Sequence, residues 1–172
     1  MTDFIRIASV IDDSIVDGPG IRMTIFFQGC NHKCFGCFNK ETWDFQGGHL
    51  CDINKIYEAA MKNPLLSGIT LSGGDPIYQV SGALKLINLF QNTNLDIMVY
   101  TGFTYEELLE MEKNNEDLHT FLDKIDYLVD GPFEIDKKDI GLKFRGSSNQ
   151  RIIDMKKTRK EGKIITTDFS NY

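Results

Sequence analysis

Several features that would assign a protein to a membrane, secreted or multidomain class are missing from this chain of 172 residues. An apolar run of about eighteen residues, the minimum for a transmembrane helix, does not occur. The N-terminal stretch 1–6 lacks the charged-then-apolar layout of a secretory signal. Internal repeats, low-complexity tracts and interdomain linkers are also missing. We therefore expect a cytoplasmic protein with no membrane partner, forming a single domain (1–172) with its core at about 17–153 and a basic C-terminal tail at 154–172.

Excess positive charge is also missing. The formal net charge is −6, whereas general nucleic-acid binders carry a basic surface, so we expect no nucleic-acid partner. One basic segment stands out, Lys156–Lys160 together with Lys163. It is interpreted as a solvated tail or hairpin face, and the alternative is a docking site for an acidic partner.

The four cysteines are unevenly distributed. Cys30, Cys34 and Cys37 lie within one short segment, whereas Cys51 stands alone. In a chain without an export signal this spacing favours metal binding over disulfides. Cys51 precedes Asp52, a predicted helix N-cap, and is interpreted as a packing residue rather than a ligand.

Strand-like and helix-like segments alternate along the chain, which predicts an α/β fold with a mainly parallel sheet covered by helices. The predicted strands are Ile21–Gln28, Gly68–Leu71, Asp96–Tyr100 and Asp126–Val129, with shorter candidates at Gln150–Asp154 and Lys163–Thr166. The predicted helices are Asp52–Lys62, Gln79–Gln91, Thr104–Lys113 and Glu116–Lys124, the third opened by a capping box of Thr104 and Glu107.

A glycine-bearing polar loop follows each of the four longer predicted strands. The first strand leads into the three cysteines, and the others lead into 72–76, Thr101-Gly102 and 130–132. Ligand sites of parallel α/β proteins form beyond the carboxyl ends of the strands. If the strands are parallel, these loops share one rim and the cysteines face the other three.

Thiolates are soft ligands that suit zinc or iron–sulfur clusters. Zinc would require a fourth ligand, for which His32, His49 and Cys51 are candidates. A four-iron cluster held by three thiolates would instead leave one iron free for an external ligand. Spacing alone leaves both alternatives open.

An ordered set of motifs connects this sequence with a known family. The spacing of Cys30, Cys34 and Cys37 resembles the signature of radical S-adenosylmethionine enzymes, and the segment 17–22 resembles the glycyl-radical activases. Further matches narrow the resemblance to the activating proteins of anaerobic ribonucleoside-triphosphate reductases. They are Cys37-Phe38-Asn39 with Glu41-Thr42-Trp43, Gly73-Gly74-Asp75-Pro76, Tyr100-Thr101-Gly102, Val129-Asp130-Gly131-Pro132-Phe133 and Arg145–Arg151.

The resemblance implies a partial, open TIM-like (β/α) barrel with no residue acting as a general acid or base. Cys30, Cys34 and Cys37 would hold a [4Fe–4S] cluster, and S-adenosyl-L-methionine would bind its free iron. Residues implied or considered as cofactor contacts are Gly36, Cys37, Phe38, Gly73, Gly74, Asp75, Thr101 and Asp130. Gly36 occupies the place where many of these enzymes carry an aromatic residue, so Phe35, Phe38 or the backbone would contact the adenine.

Several of these residues also have a purely structural interpretation. Asp75 and Pro76 suit the start of a helix, and Thr101 and Asp130 suit caps or turns. Arg22, Arg145 and Arg151 would pair either with the cofactor carboxylate or with surface acids. Trp43 is interpreted as packing in the core, with partner contact as the alternative.

The activity implied by the resemblance is reductive cleavage of S-adenosylmethionine and generation of a glycyl radical on the large subunit of an anaerobic ribonucleotide reductase. A one-electron donor such as flavodoxin or ferredoxin would supply the reductant. One alternative is another glycyl-radical activase, of the pyruvate formate-lyase type. The other is a non-enzymatic zinc or electron-transfer protein.

Overall fold

The computed structural model describes residues 3–170, and within this range it contains seven strands in one sheet and five helices. The strands are β1 (Phe4–Ser14), β2 (Arg22–Phe27), β3 (His49–Asp52), β4 (Gly68–Gly73), β5 (Asp96–Tyr100), β6 (Tyr127–Asp130) and β7 (Arg151–Asp154). The helices are α1 (Ile53–Met61), α2 (Val80–Asn88), α3 (Tyr105–Glu112), α4 (Glu116–Lys124) and α5 (Met155–Glu161). The fold is mixed α/β, as the alternation of segments predicts.

The sheet has parallel strands at its centre and antiparallel strands at its edges. Its order is β3-β1-β2-β4-β5-β6-β7. Strands β2, β4, β5 and β6 run parallel, whereas β1 is antiparallel to both β2 and β3, and β7 is antiparallel to β6. The predicted mainly parallel sheet is thus confirmed at its centre, and β1 and β3 are additions that the sequence analysis missed.

The two faces of the sheet have different partners. One face belongs to the main hydrophobic core, in which Ile25, Ile69 and Val99 pack with buried residues of the helices such as Leu86 and Phe121. The other face carries buried polar residues, among them Arg22, Thr24 and Thr70, beside a small apolar cluster of Met98, Val129 and Ile152. Because side chains alternate between the faces of a strand, each strand contributes both to the core and to the polar face.

Most predicted elements agree with the structure to within a residue or two at each end. The capping box of Thr104 and Glu107 is confirmed in both of its hydrogen bonds, and Asp52 caps α1. The predicted helix Gln79–Gln91 is shorter in the structure: α2 begins one residue later, after a 3₁₀ turn over Pro76–Gln79, and ends three residues earlier, at Asn88. The predicted strand Lys163–Thr166 is wrong, since Thr166 forms only an isolated bridge with Ile153.

The basic segment is a packed helix rather than a tail or hairpin. Residues 155–161 form α5, in which Met155 and Thr158 are buried. Lys156 pairs with Asp126, and Arg159 donates to the carbonyl oxygen of Leu122 at the end of α4. Its basic residues are nevertheless exposed, so the predicted solvated character of the segment is confirmed although the segment forms a helix. Along residues 3–170, no helix is both long and apolar enough to cross a bilayer.

Candidate functional site

The loop after β2, residues 29–39, carries the three clustered thiols and is called the cysteine loop below. The backbone N–H of Cys30 donates to the carbonyl oxygen of Trp43 at 3.2 Å, and that of Cys37 donates to Cys34 at 3.1 Å. None of these thiols forms a disulfide, and Cys30 is buried while Cys34 and Cys37 are half-buried. The loop is thus folded back on itself, and no disulfide joins its sulfurs.

A cavity of about 470 Å³ lies beside the cysteine loop. All three of its thiols line the cavity, as do residues at the ends of the parallel strands. These lining residues are Phe26, Ser72, Gly73, Gly74, Tyr100, Thr101, Gly102, Gly131 and Phe133. The prediction that the cysteines face three other loops across one rim is therefore confirmed.

Gly73 and Gly74 border this cavity at a place where backbones approach closely. A Cβ atom on Gly73 would lie 2.4 Å from the backbone nitrogen of Phe27, and one on Gly74 would lie 2.5 Å from the carbonyl oxygen of Gly29. Gly73 also has φ +96°, a conformation that side chains disfavour. Both glycines are therefore required by the packing of β4 against the end of β2, whatever the cavity binds.

Asp75 lies beneath the cavity and does not line it. Its carboxylate is fully buried and accepts hydrogen bonds from His32 Nε2 at 2.7 Å and from Thr101 Oγ1 and Gly102 N at 2.9 Å each. The backbone N–H of Ile77 donates to its other oxygen, which is the predicted N-cap interaction. Asp75 thus joins the cysteine loop to the ends of β4 and β5.

Gly36 and Phe38 lie on the side of the cysteine loop nearest to β6. Gly36 has φ +79°, and a Cβ there would meet the side chain of Ile135 at 2.9 Å. Phe38 lines the cavity although it is 64% exposed, and its ring lies 5.1 Å from that of Phe133. Phe35, the other aromatic candidate, is 81% exposed and is not among the lining residues.

The structure separates Thr101 from Asp130, two residues with similar predicted roles. Thr101 lines the cavity and donates its hydroxyl to Asp75. Asp130 is buried, and its carboxylate accepts from Arg151 and from the backbone N–H of Tyr105. The loop after β6 reaches the cavity through Gly131 and Phe133 instead.

The three predicted arginines also differ in position. Arg22 is wholly buried and pairs with Asp96 below the cavity, and Arg151 pairs with Asp130 and Glu106. Only Arg145 of these lines the cavity, and its buried Nε atom has no hydrogen-bond partner. Arg145 is therefore the arginine whose position suits a ligand carboxylate. The predicted packing residue Trp43 is half-buried.

Sequence reasoning missed several lining residues that occur inside the recognised motifs. Tyr100 projects from the end of β5 and donates its hydroxyl to the carbonyl oxygen of Phe144 at 2.7 Å, and burial raises its pKa. Asp17, Phe133 and Gln150 line the cavity too. The signal that could have found them is membership of a motif, since each of these residues lies in a segment that carries the family resemblance.

Burial sets the protonation of the thiols. It raises the pKa of Cys30 to about 11, and a hydrogen bond from the backbone N–H of His32 opposes this rise. Burial also raises the pKa of Cys34, opposed by the backbone N–H of Phe133. A raised pKa favours the protonated thiol, so binding of a metal to these two residues releases protons.

Comparison with known proteins decides the family. A model described as a 4Fe-4S single cluster domain matches residues 16–153. The anaerobic ribonucleoside-triphosphate reductase-activating protein of Escherichia coli K12 is 41% identical over 146 residues, covering 79% of this chain and 90% of the relative. The chain belongs to the family of anaerobic ribonucleoside-triphosphate reductase-activating proteins.

Two further relatives carry the same name. The protein of the same name from Vibrio cholerae is 37% identical over 146 residues, covering 80% of this chain and 90% of the relative. That of Enterobacteria phage T4 is 34% identical over 146 residues, covering 80% and 86%. The similarity therefore spans most of both chains.

The site fits the cluster that the matched domain implies. Thiolates are the protein ligands of such clusters, and the three that line the cavity come from a single loop. Within residues 3–170, no three His, Cys, Asp or Glu side chains converge as ligands of one metal ion would. Convergence on one atom is not needed in a four-iron cluster, because each thiolate binds a different iron.

Proposed function

We propose that this protein is an activating enzyme that cleaves S-adenosylmethionine reductively and generates a glycyl radical on an anaerobic ribonucleoside-triphosphate reductase. The observation that carries the proposal is the shared cavity: three reduced thiols from one loop face the backbone of Gly73 and Gly74 on the neighbouring strand. The names of the relatives support the choice of substrate protein.

In this proposal Cys30, Cys34 and Cys37 hold a [4Fe–4S] cluster with one iron free of protein ligands. When bound, the cluster supplies the electron that breaks a carbon–sulfur bond of S-adenosylmethionine, which leads to removal of a hydrogen atom from a reductase glycine. The cofactors carry this chemistry, while the protein binds and orients them.

The chain's own residues would hold the S-adenosylmethionine. The Gly73-Gly74 backbone borders the cavity without a side chain in the way, which suits contact with the methionyl part. Arg145 donates from Nη1 to the carbonyl oxygen of Gln150, but its Nε–H has no hydrogen-bond partner and suits the ligand carboxylate. Thr101 offers a hydroxyl oxygen. Gly36, Cys37 and Phe38 are the proposed adenine side of the site. Asp75 and Asp130 would act indirectly, because neither lines the cavity.

We propose that the mixed α/β fold is a partial, open barrel of the radical S-adenosylmethionine type, and two features support this. Helices pack on one face of the sheet, and the cavity lies at the carboxyl ends of the parallel strands, as ligand sites do in TIM barrels. We propose that the single domain has its functional core at about 17–153, that the protein works in the cytoplasm, and that flavodoxin or ferredoxin donates its electron.

Reconstitution tests this function directly. The protein is loaded with iron and sulfide without oxygen, reduced, and examined by low-temperature electron paramagnetic resonance with and without S-adenosylmethionine. A cluster signal that shifts on addition, with release of 5′-deoxyadenosine, is expected. An unchanged signal and no deoxyadenosine would instead indicate the zinc or electron-transfer alternative.

The substrate protein is tested separately. The loaded enzyme is mixed with the large subunit of an anaerobic ribonucleotide reductase or with pyruvate formate-lyase, and the glycyl radical is measured by electron paramagnetic resonance. A radical on the reductase alone supports the proposal. A radical on pyruvate formate-lyase alone would identify the sister activase.

A further inference from the structure

His32 lies between two of the proposed cluster ligands, yet its side chain turns towards another part of the sheet. Its Nε2 atom lies 2.7 Å from Oδ2 of Asp75, which follows β4. The imidazole is 17% exposed, and the Asp75 carboxylate is fully buried. Since a buried carboxylate must be satisfied by donors, this hydrogen bond is strongly favoured.

The ring of His32 packs among Tyr78, Gly102 and Phe103 near the end of β5, and this packing site is called its seat below. The ring packs edge-on against Phe103, with ring centroids 4.5 Å apart, and tilts against Tyr78 at 5.8 Å. A Cβ atom on Gly102 would lie 2.5 Å from the ring. Because φ of Gly102 is not in the left-handed region, the seat itself, rather than backbone conformation, explains why glycine suits this position.

The carboxylate that holds His32 is itself fixed from both neighbouring strands. Thr101 Oγ1 and Gly102 N each donate to Oδ2 of Asp75, and Ile77 N donates to Oδ1. Together with His32, four donors hold the carboxylate, three at Oδ2 and one at Oδ1. His32 is therefore attached to a rigid point at the junction of β4 and β5.

We propose that His32 is a positioning residue that fastens the middle of the cysteine loop to the ends of β4 and β5, and so keeps Cys30 turned into the cavity. Only one residue separates His32 from Cys30, so a fixed ring restrains the backbone that carries this thiol. The same bond keeps Nε2, a potential metal ligand, engaged with Asp75. The proposal rests on the proposed function only in assigning the thiols to a cluster.

The first test uses the metal-free protein. Gln places an amide donor near the position of Nε2, whereas Leu keeps bulk without a donor, so His32→Gln and His32→Leu separate the hydrogen bond from packing. Alkylation of Cys30 by iodoacetamide is followed by mass spectrometry, with Cys51 as the internal reference. We expect His32→Leu to raise the Cys30 rate about tenfold, as loss of a hydrogen bond to a charged group allows, and His32→Gln to restore most of the protection.

A control variant and a second test variant distinguish loss of the His32 contact from general unfolding of the protein. His119→Leu removes an exposed histidine that pairs with Glu112 far from the cavity lining, and it should leave the Cys30 rate unchanged. Gly102→Ala keeps His32 but inserts a methyl group into the seat of its ring. If His32→Leu does not fold, Gly102→Ala decides: faster alkylation of Cys30 supports the proposal, and an unchanged rate overturns it.

The second test uses the reconstituted protein. We expect the electron paramagnetic resonance spectrum and the reduction potential of the cluster to change in His32→Leu. Both should return towards the wild-type values in His32→Gln. Equal Cys30 rates and equal spectra in wild type and His32→Leu would overturn the proposal. If the wild type takes up no cluster, the proposed function fails, while the alkylation rates still decide the role of His32.

Discussion

Arg22 and Asp96 form an ion pair that links the first strand of the parallel set to the third. The guanidinium of Arg22 is wholly buried, and its Nη2 atom lies 2.5 Å from the carboxylate of Asp96. Arg22 also donates to the hydroxyl of Thr70 and to the carbonyl oxygen of Pro19. The pair therefore holds the segment before β2, which includes the cavity residue Asp17, against the polar face of the sheet.

Replacing Arg22 by Met should destabilise the protein strongly. The change leaves the carbonyl oxygens of Pro19 and Ile69 and the Asp96 carboxylate without their donor. We expect the free energy of unfolding to fall by about 2–3 kcal/mol, because buried acceptors lose their donor while the Asp96 carboxylate, 32% exposed, is partly compensated by solvent. Denaturant unfolding followed by the fluorescence of Trp43 measures it. Lys85→Met, which removes an exposed ion pair with Asp3, is the control and should cost less than about 1 kcal/mol.

Gly73 and Gly131 offer a matched pair for testing backbone packing. Their φ angles are +96° and +95°, but a Cβ on Gly73 would meet Phe27 N at 2.4 Å, whereas one on Gly131 would find its nearest neighbour at 3.8 Å. Gly131→Ala should therefore cost only the conformational penalty of about 1–2 kcal/mol. Gly73→Ala should cost more, because β2 and β4 must separate. Equal losses in thermal or denaturant unfolding would contradict the close approach.

The four cysteines should divide into three ligands and one packing residue. We expect Cys30→Ser, Cys34→Ser and Cys37→Ser each to lose most of the bound iron after reconstitution, since serine lacks the soft sulfur that iron–sulfur clusters require. Cys51 lies in β3 and packs against the main core, so Cys51→Ser should keep the wild-type iron content. Iron and sulfide analysis with visible absorbance provides the measurement. An equally iron-poor Cys51→Ser protein would argue against this division.

Glu106 should contribute a small stability that acid removes. Its hydrogen bond with Arg151 lowers the pKa of the carboxyl, so the folded state favours the charged form. This contribution is present above the ordinary pKa of Glu and is lost as the pH falls through the lowered folded value. Because Glu106 is 57% exposed, we expect less than about 1 kcal/mol. Unfolding between neutral pH and about pH 3 should show a steeper loss in wild type than in Glu106→Gln.

The parts of the fold that sequence could predict are those with a local signal. The capping box of Thr104 and Glu107 fixed the start of α3, and the buried run Asp96–Tyr100 matches β5 residue for residue. The cysteine loop and the glycine pair were recognisable because their residue types and spacing are unusual. Their meeting at one rim then followed from parallel strands.

The remainder depends on contacts between distant residues. In β1, buried Ile5 and Ile7 alternate, but register shifts after Ile7 and Ile11 break the pattern. Strand β3 is short and largely exposed, so it lacks hydrophobic alternation. The bond between His32 and Asp75 spans 43 positions, and the pairing of Asp130 with Arg151 spans 21. No periodicity in a single sequence reports such pairs.

The strand order has a consequence for how the protein is made. Strands β5, β6 and β7 are each added beside the strand synthesised just before them, so the sheet can grow in one direction while the N-terminal part of a nascent chain folds first. Cys30, Cys34 and Cys37 leave the ribosome well ahead of Thr101 and Phe133, which enclose them in the finished cavity. The thiols are thus synthesised before most of the residues that line the cavity with them.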